Sequence, residues 1–573
     1  MGKYICLRGL MFSSWRKTLA SLLSSLQKKQ LSQRTRLPMR KKAKLTTQFT
    51  QKKVAIVGGG ISGLFSLKTM LEDGHQAILY EKSDQVGGVW SYQQKKRGGV
   101  WKSAYASSSK TFMHPSDFPF PDEVPIFPHH THVFNHIKSY ANHFDLWPCI
   151  HLNHEISHVT KIGQKWLITL NNTTQSIQEV FDAIVICGGQ NSQPSYPQEA
   201  IYSRFTGKTM HSHDYKFPTE AMEGKHILVI GGGESASDIA DEVSNKAKSV
   251  HMSIRNGQWF LSRHTGGRLA FDTRFARKSR IMATNYGNNP VVKLYELMYA
   301  TSNGEGGHGI NEWRPTVPLM NEFINKSRFV LDKIVRGQVI PQKGVKDIQG
   351  NHVWFEGHCQ PIHIDMIIFA TGYKRTIDYL DFDLHGHLYK NVFEPNESTL
   401  AFVGNIRPVF GSITALAELQ ARWVSLVFGE RCQIPSTQEM KHEIEKDMIR
   451  HKKIFPSKHE RLPQLVSHFE YADYIVRQIG ARPNYLKLFF QDNKKWRVLL
   501  NAPWTPFETL ITHPTKGEDA YQNLLNEYAF RRNIIGPSLF KLMVFVMLTT
   551  LLSGIFLSYG LVALISRLFG FVQ

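Results

Sequence analysis

Two glycine-rich segments have the residue types and spacing to bind nucleotide phosphates. The first is Gly58-Gly59-Gly60-Ile61-Ser62-Gly63, directly after the apolar, β-branched run Lys53–Val57 and before the helix-forming run Leu64–Leu71. Glycines there allow a tight turn and let the backbone approach a pyrophosphate, and the helix N-terminus behind them offers free N–H groups and a positive dipole end. A second apolar run, Ala77–Tyr80, ends in Glu81 about 20 residues past the loop, where a carboxylate takes a ribose hydroxyl. The second segment is Gly231-Gly232-Gly233-Glu234-Ser235-Ala236, between the apolar run His226–Ile230 and a helical run Ser237–Val243. The strand expected next, Val250–Ile254, ends in Arg255 rather than an acid. A carboxylate repels a ribose 2′-phosphate, whereas a guanidinium pairs with it in bidentate fashion. The first site therefore favours an unphosphorylated ribose, as in FAD, and the second favours NADPH.

Strand, loop and helix occur twice. The expected fold is α/β with two doubly wound dinucleotide-binding domains. The expected FAD domain is discontinuous, residues 54–215 and 341–430, with an NADPH domain of residues 216–340 inserted in it. A helical region, 431–538, follows. Leu542–Ser566 is uncharged and mostly apolar, bounded by Lys541 and Arg567. At about 1.5 Å per residue it is long enough to cross a ~30 Å hydrocarbon core. A transmembrane helix is expected over 539–567, with the lipid bilayer as partner. The basic bias before it (Arg531, Arg532, Lys541) keeps the main body on the cytoplasmic side.

The net charge of +22 suggests nucleic acid until it is located. Residues 1–53 hold 14 Lys/Arg and no acid, leaving 22 − 14 = +8 on the rest. No zinc knuckle, helix-turn-helix or basic-aromatic repeat accompanies it, so nucleic acid is not expected. The basic extension reads as a mitochondrial-type targeting peptide, as a basic helix on an anionic membrane, or as a disordered tail. Gly2 is no myristoylation site, because Cys6 stands where Ser or Thr is required. Five scattered cysteines (Cys6, Cys149, Cys187, Cys359, Cys432) argue against a disulfide framework and a zinc site, and they lack the C-x-x-C pair of a flavin disulfide reductase.

Several further segments carry a family resemblance. Glu81 is followed by Gly87-Gly88-Val89-Trp90. The segment Phe205-x-Gly207-x-x-x-His211-x-x-x-Tyr215 lies between the two loops. Asp117-Phe-Pro-Phe-Pro121 precedes it, and Phe369-Ala-Thr-Gly-Tyr373 and Glu418-Leu-Gln-Ala-Arg-Trp423 follow. Together these resemble the flavin-containing monooxygenase family, from about Val54 to the end except near Trp496–His513. The resemblance implies FAD held by Gly58–Gly63, Glu81, Gly88, Val89 and Trp90. It implies NADPH held by Gly231, Gly233, Ser235, Ala236, Ser237, Asp238 and Arg255. It also implies oxygen transfer from a flavin C4a-hydroperoxide to a small-molecule nucleophile, a thioether or tertiary amine, and an endoplasmic reticulum membrane, with mitochondria as the alternative suggested by the N-terminus.

The family's Thr-Asn pair beside the flavin falls here on Ala106-Ser107. Ser107 is the expected catalytic residue, and it lacks the amide's paired donor and acceptor. Three other outcomes follow from the same residues: an NADPH oxidase releasing hydrogen peroxide, a Baeyer–Villiger-type oxygenase, or a membrane-tethered binding protein on the same fold. His211 is expected to be structural or gating rather than a base.

Overall fold

The computed structural model describes residues 46–535 except 96–97, 173–174, 265–269, 276–309, 316, 318–320, 328, 375–376, 381–387, 410 and 457–461. The expected transmembrane span and most of the basic extension lie outside these residues. Among the described residues, no helix is long and apolar enough to cross a membrane.

The chain opens with β1 (Lys53–Val57), α1 (Ile61–Glu72), β2 (Gln76–Glu81) and, after a long excursion, β3 (Ile150–Leu152). An antiparallel meander follows: β4 (Glu155–Ile162), β5 (Lys165–Asn171) and β6 (Ser176–Phe181). Next come β7 (Ala183–Ile186), the short β8 (Gln193–Pro194) and β9 (Lys208–His211). The second glycine loop sits between β10 (His226–Ile230) and α2 (Glu234–Val243), followed by β11 (Ser249–Ser253) and β12 (Val339–Gln342). The meander β13 (Val345–Gln349), β14 (His352–Phe355) and β15 (Ile362–His363) leads to β16 (Met366–Phe369) and β17 (Tyr373–Lys374). The chain then returns to the first domain through β18 (Phe393–Glu394), β19 (Glu397–Phe402) and α3 (Ile413–Phe428).

Two sheets carry the glycine loops. The first has the order β18-β19-β7-β1-β2-β3, and β1 pairs in parallel with both β2 and β7. The second has the order β12-β11-β10-β16-β9 and is parallel throughout. Parallel strands covered on both faces read as continuous apolar runs, and this is why KVAIV and HILVI were legible as strands. In β10, alternate residues serve opposite faces. Ile227 and Val229 pack with Ile239, Ala240 and Val243 of α2. Leu228 and Ile230 pack with Ile348, Val353 and Phe355 of the β13–β15 meander. In the first sheet, Ala55, Tyr80, Ile184 and Phe402 pack against Val159, Trp166, Ile168 and Leu170 of the β4–β6 meander. On α1, Leu64, Phe65, Leu67 and Met70 are fully buried, and the helix packs against α3.

The second sheet reaches beyond the expected span of 216–340 in both directions. It takes its edge strand from 208–211 and its fourth strand from 366–369. The Phe205–Tyr215 motif is thereby explained in part. His211 ends the edge strand in register with Phe369. Tyr215, fully buried, donates its hydroxyl to Glu242 of α2 at 2.7 Å.

Candidate active site

Each glycine loop is pressed from one side by the strand that crosses behind it. A β-carbon on Gly58 would stand 2.7 Å from the Cys187 carbonyl oxygen, just past β7. One on Gly231 would overlap the Ala370 carbonyl, just past β16. Gly58 (φ 108°) and Gly231 (φ 143°) both lie in the backbone region that favours glycine. Phe369–Tyr373 therefore serves the second loop as Ile186–Gly189 serves the first. Gly63 closes the first turn: a β-carbon there would run into the Gly58 carbonyl. The third glycines are more open. Gly60 has only Gly88 Cα nearby, at 3.7 Å, and Gly233 has nothing within 4 Å. Both helices start on a glycine whose cap carries no side-chain hydrogen bond, so their first-turn N–H groups point at open cradles that a diphosphate fits.

Glu81 ends β2, buried, and braces the first loop. Its Oε2 accepts from Gly59 N at 2.5 Å and its Oε1 from Ser83 N at 2.8 Å. Gly87-Gly88 docks on the same loop: Gly87 N donates to Gly59 O at 2.9 Å. Gly88 and Val89 are exposed beside the loop and Trp90 is half-buried, so this segment is not core packing. Ile61 and Ser62 are half-buried on the first turn of α1. Gly404 (φ 84°) lies directly over Ser62, leaving no room for a β-carbon.

Two glutamines missed in the sequence hold Gly404 in place. Gln420 Oε1 accepts from Gly404 N at 2.8 Å, and Gln190 Nε2 donates to the Gly404 and Ile406 carbonyls, each at 2.9 Å. Glu-Leu-Gln-Ala-Arg-Trp is thus a bracing helix face. Glu418 takes Ser116 N at 2.8 Å, Gln420 takes Gly404, and Arg422 donates to Thr509 at 2.9 Å. The spacing of these residues was the signal; their partners lie far away in sequence.

The second site differs from its expected residue set. Ser235 is half-buried at the loop. Ala236 and Ser237 are fully buried, and Ser237 Oγ accepts from Asn325 Nδ2 at 2.8 Å, so both pack the helix inward. Asp238 takes the Ser327 hydroxyl and lies 3.7 Å from Arg263; burial raises its carboxyl to about 6. Arg255 stands two residues past the observed end of β11, exposed, with Nη1 3.3 Å from Glu199 Oε1. This exposed pair is weak enough to open for a 2′-phosphate.

His211 is buried, and its Nδ1 accepts from His213 N at 3.0 Å. Burial lowers its pKa to about 4, so at neutral pH the ring is uncharged, tilted against Tyr196 and edge-on to Tyr373. The stretch it heads also holds the approach to Ser107: Gly98 N donates to His213 O, and Lys102 N to Lys216 O, each at 2.9 Å. Ala106 is buried, its N–H on Pro128 O at 2.9 Å, and Ser107 is half-buried beside it. The four described cysteines are free, and burial pushes the Cys187 thiol up to about 12.

Comparison with known proteins agrees with this geometry. The flavin-binding monooxygenase-like family model matches residues 51–565. The chain is 31% identical over 503 residues to flavin-containing monooxygenase 5 of Cavia porcellus, covering 84% of this chain and 92% of that protein. It is 32% identical over 509 residues to flavin-containing monooxygenase 2 of Homo sapiens, covering 85% and 93%. Among solved structures, the S-allyl-L-cysteine S-oxygenase of Allium sativum shares the fold at a TM-score of 0.58 and 20% identity, over 84% of this chain and 99% of that one. OTEMO, in complex with FAD and NADP, shares it at a TM-score of 0.55 and 14% identity, over 70% and 89%.

Proposed function

The chain belongs to the flavin-binding monooxygenase-like family, and from that premise we propose which of its residues bind each cofactor and what it oxygenates. It is an FAD- and NADPH-dependent flavin monooxygenase. Gly58–Gly63, Glu81, Gly88, Val89 and Trp90 hold FAD. Gly231, Gly233, Ser235 and Arg255 hold NADPH, with Ala236, Ser237 and Asp238 setting the helix behind them. The observation that carries this reading is the pair of glycine cradles, each pressed from behind by a strand-end carbonyl and open at its third glycine.

FAD, once reduced by NADPH, supplies the activation of O₂ for transfer of one oxygen atom to a soft nucleophile. The chain's own residues bind and orient. Uncapped N–H groups of α1 and α2 take the two diphosphates. Gln190 and Gln420 fix the Gly404 turn over Ser62. His211, neutral and enclosed, stiffens the passage between the two sheets. Ser107 sets the polarity of the flavin-side wall.

The substrates proposed are thioethers and tertiary amines, since such nucleophiles need no protein acid or base to react. A panel of each, scored for sulfoxide or N-oxide with NADPH and O₂, tests this. Product from neither class would sink it, and product from ketones alone would favour a Baeyer–Villiger enzyme.

The apolar run 542–566 anchors the enzyme in the endoplasmic reticulum membrane, with the catalytic body on the cytoplasmic side. Support comes from its length, its lack of charge and the basic residues before it. Fluorescent fusions with and without residues 1–53 test the compartment. Relocation upon deletion would assign the basic extension a targeting role.

A further inference from the structure

The residues around Ser107 are fastened from both parts of the molecule. Ala106 N donates to Pro128 O at 2.9 Å, and the Ser108 hydroxyl donates to Gly411 O at 2.8 Å. Ser109, fully buried, donates its backbone N–H to Asp272 Oδ2 at 2.7 Å. Pro128 and Gly411 lie on connections of the first sheet, whereas Asp272 lies between β11 and β12 of the second. The bond from Ser109 also caps the short helix Lys110–Met113, which has no side-chain cap of its own.

Asp272 is built as a fixed arm. It is buried on the short helix Phe271–Phe275, and its other oxygen, Oδ1, accepts from Thr273 N at 2.8 Å. The Thr273 hydroxyl donates to Ala270 O at 2.9 Å, and Phe271 N donates to Arg263 O at 2.8 Å. Arg263 in turn donates Nε to Lys326 O at 3.1 Å and has Nη2 3.7 Å from Asp238 Oδ2, on the helix that follows the second glycine loop. A carboxyl oxygen accepts from an N–H in either protonation state, so the bond to Ser109 does not depend on charge.

We propose that Asp272 is a positioning residue for the oxygen-transfer step: it holds the Ser107–Ser109 segment in place from the NADPH-side sheet, through the Ser109 N–H. This rests on the reading of Ser107 as a flavin-side residue. Without the Asp272 carboxyl, a buried N–H two residues from Ser107 loses its acceptor, and the segment must shift to find another. Oxygen that the displaced wall fails to hold leaves as peroxide. That branch balances as NADPH + H⁺ + O₂ giving NADP⁺ + H₂O₂. The productive branch on a thioether R₂S balances as NADPH + H⁺ + O₂ + R₂S giving NADP⁺ + H₂O + R₂SO. In both, the two electrons come from NADPH.

The test uses the full-length, FAD-loaded enzyme and reads the ratio of peroxide to sulfoxide with a thioether present, together with the KM for NADPH. Asp272→Ala is expected to raise the ratio about fivefold, the worth of one net hydrogen bond. It is expected to leave the KM for NADPH within about twofold, since the second glycine loop keeps its own contacts. Asp272→Asn, whose amide oxygen still accepts from Ser109, is expected to keep the wild-type ratio. Should the alanine variant purify without FAD, Asp272→Glu is read in its place, because it displaces the carboxyl by one methylene, and the same rise is expected. A wild-type ratio in the alanine or glutamate variant, while Ser107→Asn changes it, overturns the role of Asp272 alone. A ratio as high in Asp272→Asn as in Asp272→Ala, or a KM that rises in step with the ratio, also overturns it, because general loosening of the fold then accounts for the effect. No response of the ratio to Ser107→Asn or Ser107→Ala overturns the placement of Ser107, and the proposal with it.

Discussion

Arg255 and Gly63 test the site one residue at a time. Arg255 is exposed and its ion pair among the described residues is with exposed Glu199, so its loss should cost little stability. On the proposed pairing of Arg255 with the 2′-phosphate, Arg255→Ala loses one charge-assisted contact and should raise the KM for NADPH roughly tenfold. NADH, lacking that phosphate, should be unaffected. Steady-state kinetics with both cofactors checks this, and an equal rise for NADH would show that Arg255 does not read the phosphate. Gly63→Ala forces a methyl against the Gly58 carbonyl. Overpacking of this kind costs about 1–3 kcal/mol, or roughly ten- to a hundredfold in FAD retention. Flavin content of the purified variant by absorbance is the measure, and full occupancy would contradict the cradle.

Buried histidines give the fold a pH dependence of definite sign. Burial lowers His136, His211 and His251 to about 4 and His468 to about 3. An unfolded imidazole takes its proton near pH 6.5, so the stability these rings confer is complete above that pH. It is lost progressively as pH falls from 6.5 toward 4. The carboxyls of Asp238, Asp241, Glu242, Asp272 and Glu418, raised by burial, have the opposite sign over part of this range, but His75, His130 and His513 are lowered as well, so seven histidines stand against five carboxyls among the described residues. The melting temperature should therefore fall steadily from pH 7 to pH 5. A flat profile would mean that these rings are not held neutral.

At the scale of elements, β1, α1, β2, β10 and α2 were all legible, because each is a contiguous apolar run or a glycine loop whose meaning is local. The place of Glu81 at the end of β2 was legible for the same reason. What sequence reading could not reach depends on partners far along the chain. The motif 205–215 reads as a linker until β9 is seen to pair with β16, residues 366–369. The β4–β6 meander hides because its strands alternate buried and exposed positions and make their core with a different sheet. Gln190 and Gln420 are ordinary residue types whose roles arise across distances of 16 to 216 positions. The family resemblance implies Ser237 and Asp238 as NADPH residues, and α2 turns them onto Asn325, Ser327 and Arg263. Docking of the Gly87-Gly88 segment gives a test at this scale. Gly88 has φ 54°, and a β-carbon on it would stand 3.0 Å from Gly60 Cα. Gly88→Ala should lower flavin content several-fold while leaving NADP⁺ binding by calorimetry within about twofold, since the two cradles belong to separate sheets. Equal loss at both sites would mean that the two sheets do not bind independently.

On the scale of the whole molecule, each of the two large sheets brings one glycine loop. The run 542–566 should keep the protein in the membrane pellet after alkaline extraction, and a chain ending at residue 541 should be released. Retention of that shorter chain would place the anchor elsewhere. A single cycle uses NADPH and O₂ to oxygenate a soft nucleophile. Its most direct test is stoichiometric: NADPH oxidised, O₂ consumed, peroxide released and sulfoxide or N-oxide formed, all measured in one reaction of the FAD-loaded enzyme. Product plus peroxide should equal NADPH consumed, with product present and rising with substrate. NADPH consumption balanced entirely by peroxide at every substrate concentration, or a preparation that binds no FAD, would contradict it.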